Sequence, residues 1–263
     1  MLMNFEKLET RRLLTATATF NNGTLTILGD AGDDSVEIDQ FDENDVDLGA
    51  GNVEVILNNG TPEVFDGVVD IVVDLGAGRG DVSFYTAANI GGDVSMTFGA
   101  GQATVHNYGD LKIGGNLSID MSQANVSGGG VELFSATFER EVSIKLGDGN
   151  DTVGLGDVVI REGLKIDMGG GNDLFESVSV DITGNLSYKG GSGNDCFALT
   201  SSHVCGNAKL TMGAGNDEIA LFDVAVTGRS VFNGGSGADV LTISDPLNFF
   251  NKAPRTPGFE QFL

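Results

Sequence analysis

Five aspartates recur in the second half of the chain, each closing a glycine-rich turn and each 22 residues after the last. They are Asp151, Asp173, Asp195, Asp217 and Asp239. Carboxylates at tight turns support two kinds of chemistry. Together with backbone carbonyls they can bind a hard cation such as Ca²⁺, or they can accept hydrogen bonds from the amides of the turn itself. Either role requires a fold that stacks the five turns.

The turns belong to a strict internal repeat. Their sequences are LGDGND (146–151), MGGGND (168–173), GGSGND (190–195), MGAGND (212–217) and GGSGAD (234–239). Looser rows begin near Val72, Ser95 and Ser118, with the decayed turns LGAGRGD, FGAGQA and MSQANV. A fixed period of this length is typical of solenoids, propellers and other arrays.

The residues between the turns alternate apolar and polar, which is strand spacing, and no helical period appears. One apolar column consists of Val153, Phe175, Phe197, Ile219 and Leu241. Each row also holds a second glycine turn, such as Gly184-Asn185. One row cannot bury its own apolar face, whereas stacked rows can. We therefore predict an all-β, right-handed parallel β-solenoid of about eight 22-residue coils plus caps. A propeller is the alternative, but a blade needs about twice this length.

The two ends depart from the repeat and set the predicted organisation. Residues 1–15 form an N-terminal segment, 16–71 an irregular β cap, 72–244 the solenoid and 245–263 a C-terminal cap. Prolines in the last segment cannot donate to a ladder and would close the sheet edge. The phenylalanines Phe249, Phe250, Phe259 and Phe262 are expected to plug the apolar end.

The turn sequences resemble the calcium-binding nonapeptide of RTX (hemolysin-type) proteins, G-G-x-G-x-D-x-U-x with U a large apolar residue. GGSGNDCFA (190–198) and GGSGADVLT (234–242) match every position, and the other three depart at the first glycine. The resemblance implies that Asp151, Asp173, Asp195, Asp217 and Asp239, with turn carbonyls, bind Ca²⁺. Only one turn per coil matches, so calcium would occupy a single edge. The alternative is structural: the aspartates cap turn amides, and Asn150, Asn172, Asn194 and Asn216 stack as an amide ladder.

A second resemblance lies near the N-terminus. The stretch FEKLETRRLLT (5–15) resembles the LEPR-XLL motif of planctomycete extracellular proteins, with Thr10 where the proline usually stands. The resemblance implies export, and hence an extracellular or cell-surface location. No stretch reaches the ~18 apolar residues of a transmembrane helix, and membrane insertion is not expected.

Charge and composition narrow the function classes. The formal net charge is −24, from 38 acidic and 14 basic residues, which disfavours nucleic acid and attracts cations. The expected function is an extracellular structural or interaction module whose partners are calcium, matrix, or a cell-surface glycan or protein. The alternatives are a carbohydrate-binding module, for which Tyr85, Tyr108 and Tyr188 are the available tyrosines, and a polysaccharide-degrading β-helix enzyme.

An enzyme is not expected, because the carboxylates follow the repeat, whereas a catalytic site should break it. The irregular stretch 122–142 offers only a weak site at Glu139, Arg140 and Glu141. His106 and His203 have no evident partner column. Cys196 and Cys205 lie nine residues apart, which fits neither a disulfide framework nor a zinc spacing, so no role is predicted for them.

Overall fold

The computed structural model describes residues 16–42, 44, 46–124, 128–243 and 245–263. The LEPR-XLL-like segment lies outside these residues. The described chain forms 25 strands: β1 (Thr17–Asn21), β2 (Thr24–Leu28), β3 (Asp34–Asp39), β4 (Val53–Leu57), β5 (Glu63–Phe65), β6 (Asp70–Leu75), β7 (Gly80–Phe84), β8 (Ala87–Ile90), β9 (Val94–Phe98), β10 (Ala103–Asn107), β11 (Asp110–Ile113), β12 (Leu117–Asp120), β13 (Gly130–Phe138), β14 (Val142–Lys145), β15 (Thr152–Ile160), β16 (Leu164–Asp167), β17 (Leu174–Ile182), β18 (Leu186–Ser192), β19 (Cys196–Val204), β20 (Ala208–Ala214), β21 (Glu218–Val226), β22 (Ser230–Ser236), β23 (Val240–Thr242), β24 (Phe249–Phe250) and β25 (Gln261–Phe262).

The strands build a parallel β-solenoid, as the repeat predicts. One sheet has ten strands in the order β1-β2-β6-β9-β12-β14-β16-β18-β20-β22, and only the β1–β2 pair in it is antiparallel. The other sheet has fifteen strands and runs through β3, β7, β10, β13, β15, β17, β19, β21 and β23 in parallel register. From β14 to β23, partners in neighbouring coils are 22 residues apart.

The core is the set of apolar columns that the repeat stacks. The column after the glycine turn, Val153, Phe175, Phe197, Ile219 and Leu241, is buried throughout. The rings of Phe175 and Phe197 stack with their centroids 4.7 Å apart, and Tyr188 meets Phe197 edge-on at 4.8 Å. Burial of this continuous apolar face, shared between coils, is the main stabilising force.

Each regular coil has three sides, and the residue at its third corner is not a glycine, so no turn signal in the sequence predicts it. The nine-residue strands bend at one residue with positive φ: Ser135 (49°), Asp157 (54°), Ser179 (57°), Ser201 (46°) and Asp223 (53°). Small polar residues accept this left-handed conformation more easily than bulky or β-branched ones. The corner turns the strand without a glycine.

The N-terminal prediction needs correction. Residues 16–71 were expected to form an irregular cap, but β2 and β3 continue the two sheets in parallel register with β6 and β7. They add a coil, so the ten-stranded sheet has nine parallel strands after β1. The antiparallel strands β4 and β5 form a hairpin inserted between this coil and the next.

The C-terminal segment continues the stack for a short distance. Strand β24 pairs with β21, and β25 pairs with β23, both parallel. Phe250 and Phe259 pack against the core, whereas Phe249 and Phe262 are exposed. Two of the four phenylalanines therefore cover the apolar end.

Candidate functional site

The five repeat aspartates lie inside the turn stack and form a continuous ladder, which we call the aspartate row. Their relative exposures run from 0% to 6%. One carboxylate oxygen of each accepts a hydrogen bond from the backbone of the preceding coil. The bonds are Asp151 N to Asp173 Oδ1 (2.8 Å), Asp173 N to Asp195 Oδ1 (3.0 Å), Asp195 N to Asp217 Oδ1 (2.8 Å) and Asp217 N to Asp239 Oδ1 (2.9 Å).

Residues outside the row form hydrogen bonds with its first and last aspartates. At its start, Asp151 accepts hydrogen bonds from the backbone of Gly129 and Gly147. At its end, Asp239 N donates to Glu260 Oε2 at 2.7 Å, so the C-terminal segment supplies one more carboxylate. Glu260 was not predicted from the sequence, because it follows the repeat by 21 residues in a stretch with no turn motif.

The second carboxylate oxygen is the unusual feature of the row. In Asp173, Asp195, Asp217 and Asp239, Oδ2 is buried and has no hydrogen-bond partner among the described residues. A side chain at Gly190 would place its Cβ 2.5 Å from Asp195 Oδ2 and 2.6 Å from the carbonyl oxygen of Met212. Glycine at position 190 therefore leaves room for the Asp195 carboxylate beside the Met212 carbonyl.

Burial changes the acid–base properties of the row. Desolvation, reinforced by the charges of Asp195 and Asp151, raises the pKa of Asp173 to about 7. Desolvation also raises the pKa of Asp217 to about 6, with the charges of Asp195 and Asp239 adding to it. The pKa values of Asp151 and Asp195 are raised by desolvation as well, against hydrogen bonds that lower them. The folded row therefore favours a proton or another cation.

The asparagines of the same turns form a parallel ladder on the exposed side. In this ladder the backbone donor lies in the coil that follows the side-chain acceptor, whereas in the aspartate row it lies in the preceding coil. Asn172 N donates to Asn150 Oδ1, Asn194 N to Asn172 Oδ1 and Asn216 N to Asn194 Oδ1, each at 2.7 Å. Ala238 N donates to Asn216 Oδ1 at 2.9 Å. This is the amide ladder that the structural alternative predicted.

The second glycine turn carries its own exposed ladder, built from mixed residues. Asp93 N donates to Asp70 Oδ1 and Asn116 N donates to Asp93 Oδ1. Further along, Asn207 N donates to Asn185 Oδ1 and Arg229 N to Asn207 Oδ1. Here aspartate and asparagine serve alike as amide acceptors.

Asp34 occupies the same column as the aspartate row in the first coil. It is buried, but both of its oxygens are paired: Oδ2 accepts from Asp30 N and Oδ1 from Asn58 Nδ2, each at 2.9 Å. The next coils place Gly80 and Ala103 in this column, so Asp34 is separated from the row. The sequence GDAGDD (29–34) was the available signal for it.

The residues of the weak catalytic candidate are engaged in surface ion pairs. Glu139 Oε2 lies 2.8 Å from Arg161 Nε, Arg140 Nη1 lies 3.0 Å from Glu162 Oε1, and Glu141 Oε1 lies 2.8 Å from Lys165 Nζ. These pairs join neighbouring coils at the second turn. Each of the three residues thus has a structural partner.

The histidines and tyrosines correct two sequence expectations. Each histidine has an aspartate partner: His106 Nδ1 lies 3.7 Å from Asp81 Oδ1, and His203 Nδ1 lies 3.5 Å from Asp181 Oδ1. Asp181 precedes His203 by 22 residues, so the repeat period places the two residues side by side in adjacent coils. Among the tyrosines, Tyr188 is buried, whereas Tyr85 and Tyr108 are exposed neighbours with ring centroids 5.2 Å apart.

The fold and the ladders define a parallel β-solenoid protein with an internal row of aspartates at one corner. No family model matches the chain, and no curated protein or solved structure matches it. In the described part of the chain, no helix has the length and apolar character needed to span a membrane.

Proposed function

We propose that this protein is an extracellular structural or interaction module whose aspartate row binds calcium. The observation that carries the proposal is the set of buried, unpaired Oδ2 atoms on Asp173, Asp195, Asp217 and Asp239. A buried carboxylate with one oxygen unpaired is costly, so the folded state favours any ligand that binds that oxygen and neutralises the charge.

The residue choice in the two turns supports a cation over simple amide capping. Capping a backbone amide needs one oxygen, and asparagine supplies it at Asn116, Asn185 and Asn207 in the second turn. The buried turn instead uses aspartate in five successive coils. The second, charged oxygen is what asparagine lacks, and it is the atom left unpaired.

The ligand chemistry of the row suits Ca²⁺. Carboxylate oxygens adjacent to turn carbonyls are the hard, flexible donors that Ca²⁺ accepts. The Oδ2 atoms would supply the charge, the glycine turns would supply carbonyls, and the field of a chain with net charge −24 would concentrate the cation. The LEPR-XLL-like segment suggests an extracellular location. We therefore expect a dissociation constant typical of extracellular calcium modules, roughly 10⁻⁴–10⁻³ M.

The test is calorimetric titration with Ca²⁺ of the full chain and two matched variants. We expect binding to the wild type and clearly weaker binding to Asp195→Asn, which keeps the amide acceptor for Asp173 N but removes the charge. The control is Asp93→Asn in the exposed second turn, which should bind like the wild type. Absence of binding to the wild type, or equal binding by both variants, would contradict a calcium role for the row.

A second candidate function, carbohydrate binding, is favoured by the Tyr85–Tyr108 pair. The two residues are 52% and 68% exposed, and the His106 ring lies edge-on to the Tyr108 ring with their centroids 4.7 Å apart. Exposed aromatic rings offer stacking surfaces, and the neighbouring Asp81 and His106 offer hydrogen bonds. Binding to a glycan array that is lost in Tyr108→Ala would support this function. If the wild type binds no glycan on the array, those glycans are excluded as its ligands.

A further inference from the structure

A second cluster of metal-ligating side chains lies on the outer face of the solenoid, away from the aspartate row. It consists of Asp181 on β17, His203 on β19 and Cys205 directly after β19. Asp181 and His203 are register partners in adjacent coils. The backbone of Cys205 is fixed by a 2.8 Å hydrogen bond from its amide to the Ile182 carbonyl, so a rigid ladder presents all three side chains.

The two ligand-atom distances that involve His203 are those expected around a single tetrahedral ion, and the third pair lies within 4.8 Å. His203 Nδ1 lies 3.5 Å from Asp181 Oδ1 and 3.8 Å from Cys205 Sγ, and all three ligand atoms lie within 4.8 Å of one another. Zinc bonds of about 2.0–2.3 Å at tetrahedral angles place neighbouring ligand atoms roughly 3.3–3.8 Å apart. Small side-chain rotations therefore suffice to close the shell.

The donor set also identifies the class of ion. Nitrogen and sulfur donors favour Zn²⁺ and similar transition metals, whereas Ca²⁺ prefers oxygen alone. We propose that Asp181, His203 and Cys205 bind a thiophilic divalent metal ion such as Zn²⁺, with the fourth position open to water or an external ligand. Binding releases the thiol proton of Cys205 to solvent as the thiolate coordinates the metal.

The surroundings leave the open position accessible. The Asp181 and His203 side chains are 57% and 43% exposed, and Cys205 is exposed. The next residue in the column is Ala225, whose methyl group leaves space beside the imidazole. Three protein ligands and one free position are the arrangement of zinc sites that exchange a ligand.

The experiment uses the reduced full-length chain in saturating Ca²⁺, so that the aspartate row does not compete for the added metal. Titration with Co²⁺ should produce thiolate-to-metal charge-transfer absorption that saturates at one equivalent and is displaced by Zn²⁺. Cys205→Ser should abolish the absorption. His203→Asn and Asp181→Asn should weaken binding, by more than about 100-fold for the histidine, since ligand loss should exceed the usual cost of losing an outer-shell contact.

Two matched variants serve as controls. Cys196→Ser removes the other free cysteine, and His106→Asn removes the other histidine that is paired with an aspartate but has no cysteine beside it. Both should bind Co²⁺ like the wild type. The proposal is overturned if the wild type shows no charge-transfer absorption, if the absorption survives in Cys205→Ser, or if His203→Asn binds with unchanged affinity.

Discussion

At the residue scale, each aspartate of the row uses its two oxygens differently. Oδ1 accepts a hydrogen bond from a backbone amide of the preceding coil, and this bond links neighbouring coils. Oδ2 remains buried and unpaired. Two unit charges about 5 Å apart repel by roughly 3 kcal/mol at an effective dielectric of 20. Repulsion along a row of ionised aspartates therefore lowers the stability of the fold, and a bound cation or proton reduces this repulsion.

The raised pKa values predict that acid stabilises the protein when divalent cations are absent. The pKa of Asp173 is about 7 and that of Asp217 about 6, both above the ordinary value of 3.8. Because the folded state binds these protons more tightly than the unfolded state, the stabilisation is complete below about pH 4. It is lost as the pH rises through 6 to 7.

Thermal unfolding in EDTA between pH 5 and pH 8 checks this prediction. The melting temperature should fall with rising pH, by roughly 2–4 °C per kcal/mol lost. Asp173→Asn removes one titrating group and should flatten the profile. A melting temperature that rises from pH 5 to pH 8, or an unchanged profile in Asp173→Asn, would show that the row does not titrate as described.

The apolar column predicts a sharp contrast between two substitutions to aspartate. Phe197 is fully buried between Phe175 and Tyr188, so Phe197→Asp buries an unpaired charge and should cost at least about 4 kcal/mol. Ser192 is the exposed last residue of β18, so Ser192→Asp should change stability by less than about 1 kcal/mol. Denaturant unfolding of the two variants measures the difference, and equal midpoints would mean that the inward column is misassigned.

At the element scale, each coil depends on glycine where adjacent turns touch. Gly193 has φ of 120°, and a Cβ there would overlap the carbonyl oxygen of Gly171 in the preceding coil. We expect Gly193→Ala to destabilise the protein by several kcal/mol, because both the conformation and the space exclude a side chain.

Gly154 provides the matched control for this prediction. It lies within β15, and a Cβ there would meet its nearest neighbour, Glu132 Cγ, at an ordinary 3.8 Å. Gly154→Ala should be neutral or stabilising, since it reduces the freedom of the unfolded chain. If thermal unfolding ranks the two variants in the opposite order, close stacking of the turns is not what holds the coils in register.

The same scale shows what the sequence could and could not predict. The strict period placed Phe197 in the core and Asp195 in a stacked turn, because a 22-residue repeat leaves little choice of register. The corner at Ser179 and Ser201 could not be predicted, because serine stands there and the usual sequence signal of a turn is glycine. The first coil was missed because the β4–β5 hairpin separates β2 from β6 by far more than one period.

The site could be predicted only in part, for related reasons. The spacing of the five aspartates was sufficient to predict a row, but their burial depends on which side of the turn each residue faces. Asn194 and Asp195 are adjacent in the sequence, yet one is exposed and the other buried. Glu260 belongs to the row through the path of the C-terminal segment, which no repeat encodes.

At the scale of the whole molecule, the residues that the structure describes form nine coils, which at about 4.8 Å per coil make a rod roughly 40 Å long. Contacts between coils are local, so the stability of the rod is approximately a sum over neighbouring interfaces. The aspartate row spans the five C-terminal repeats, and a cation there would strengthen each of their interfaces. The net charge of −24 raises the local concentration of cations around the rod.

The measurement that tests the calcium proposal most directly is the melting temperature of the full chain at pH 7.5 in millimolar Ca²⁺ against EDTA. Mg²⁺ at matched ionic strength is the control, because it demands a small octahedral site and should bind the row poorly. We predict that Ca²⁺ raises the melting temperature by several degrees through linkage and that Mg²⁺ does not. The same melting temperature in Ca²⁺, Mg²⁺ and EDTA would contradict the proposal and leave the aspartates as caps of the turns.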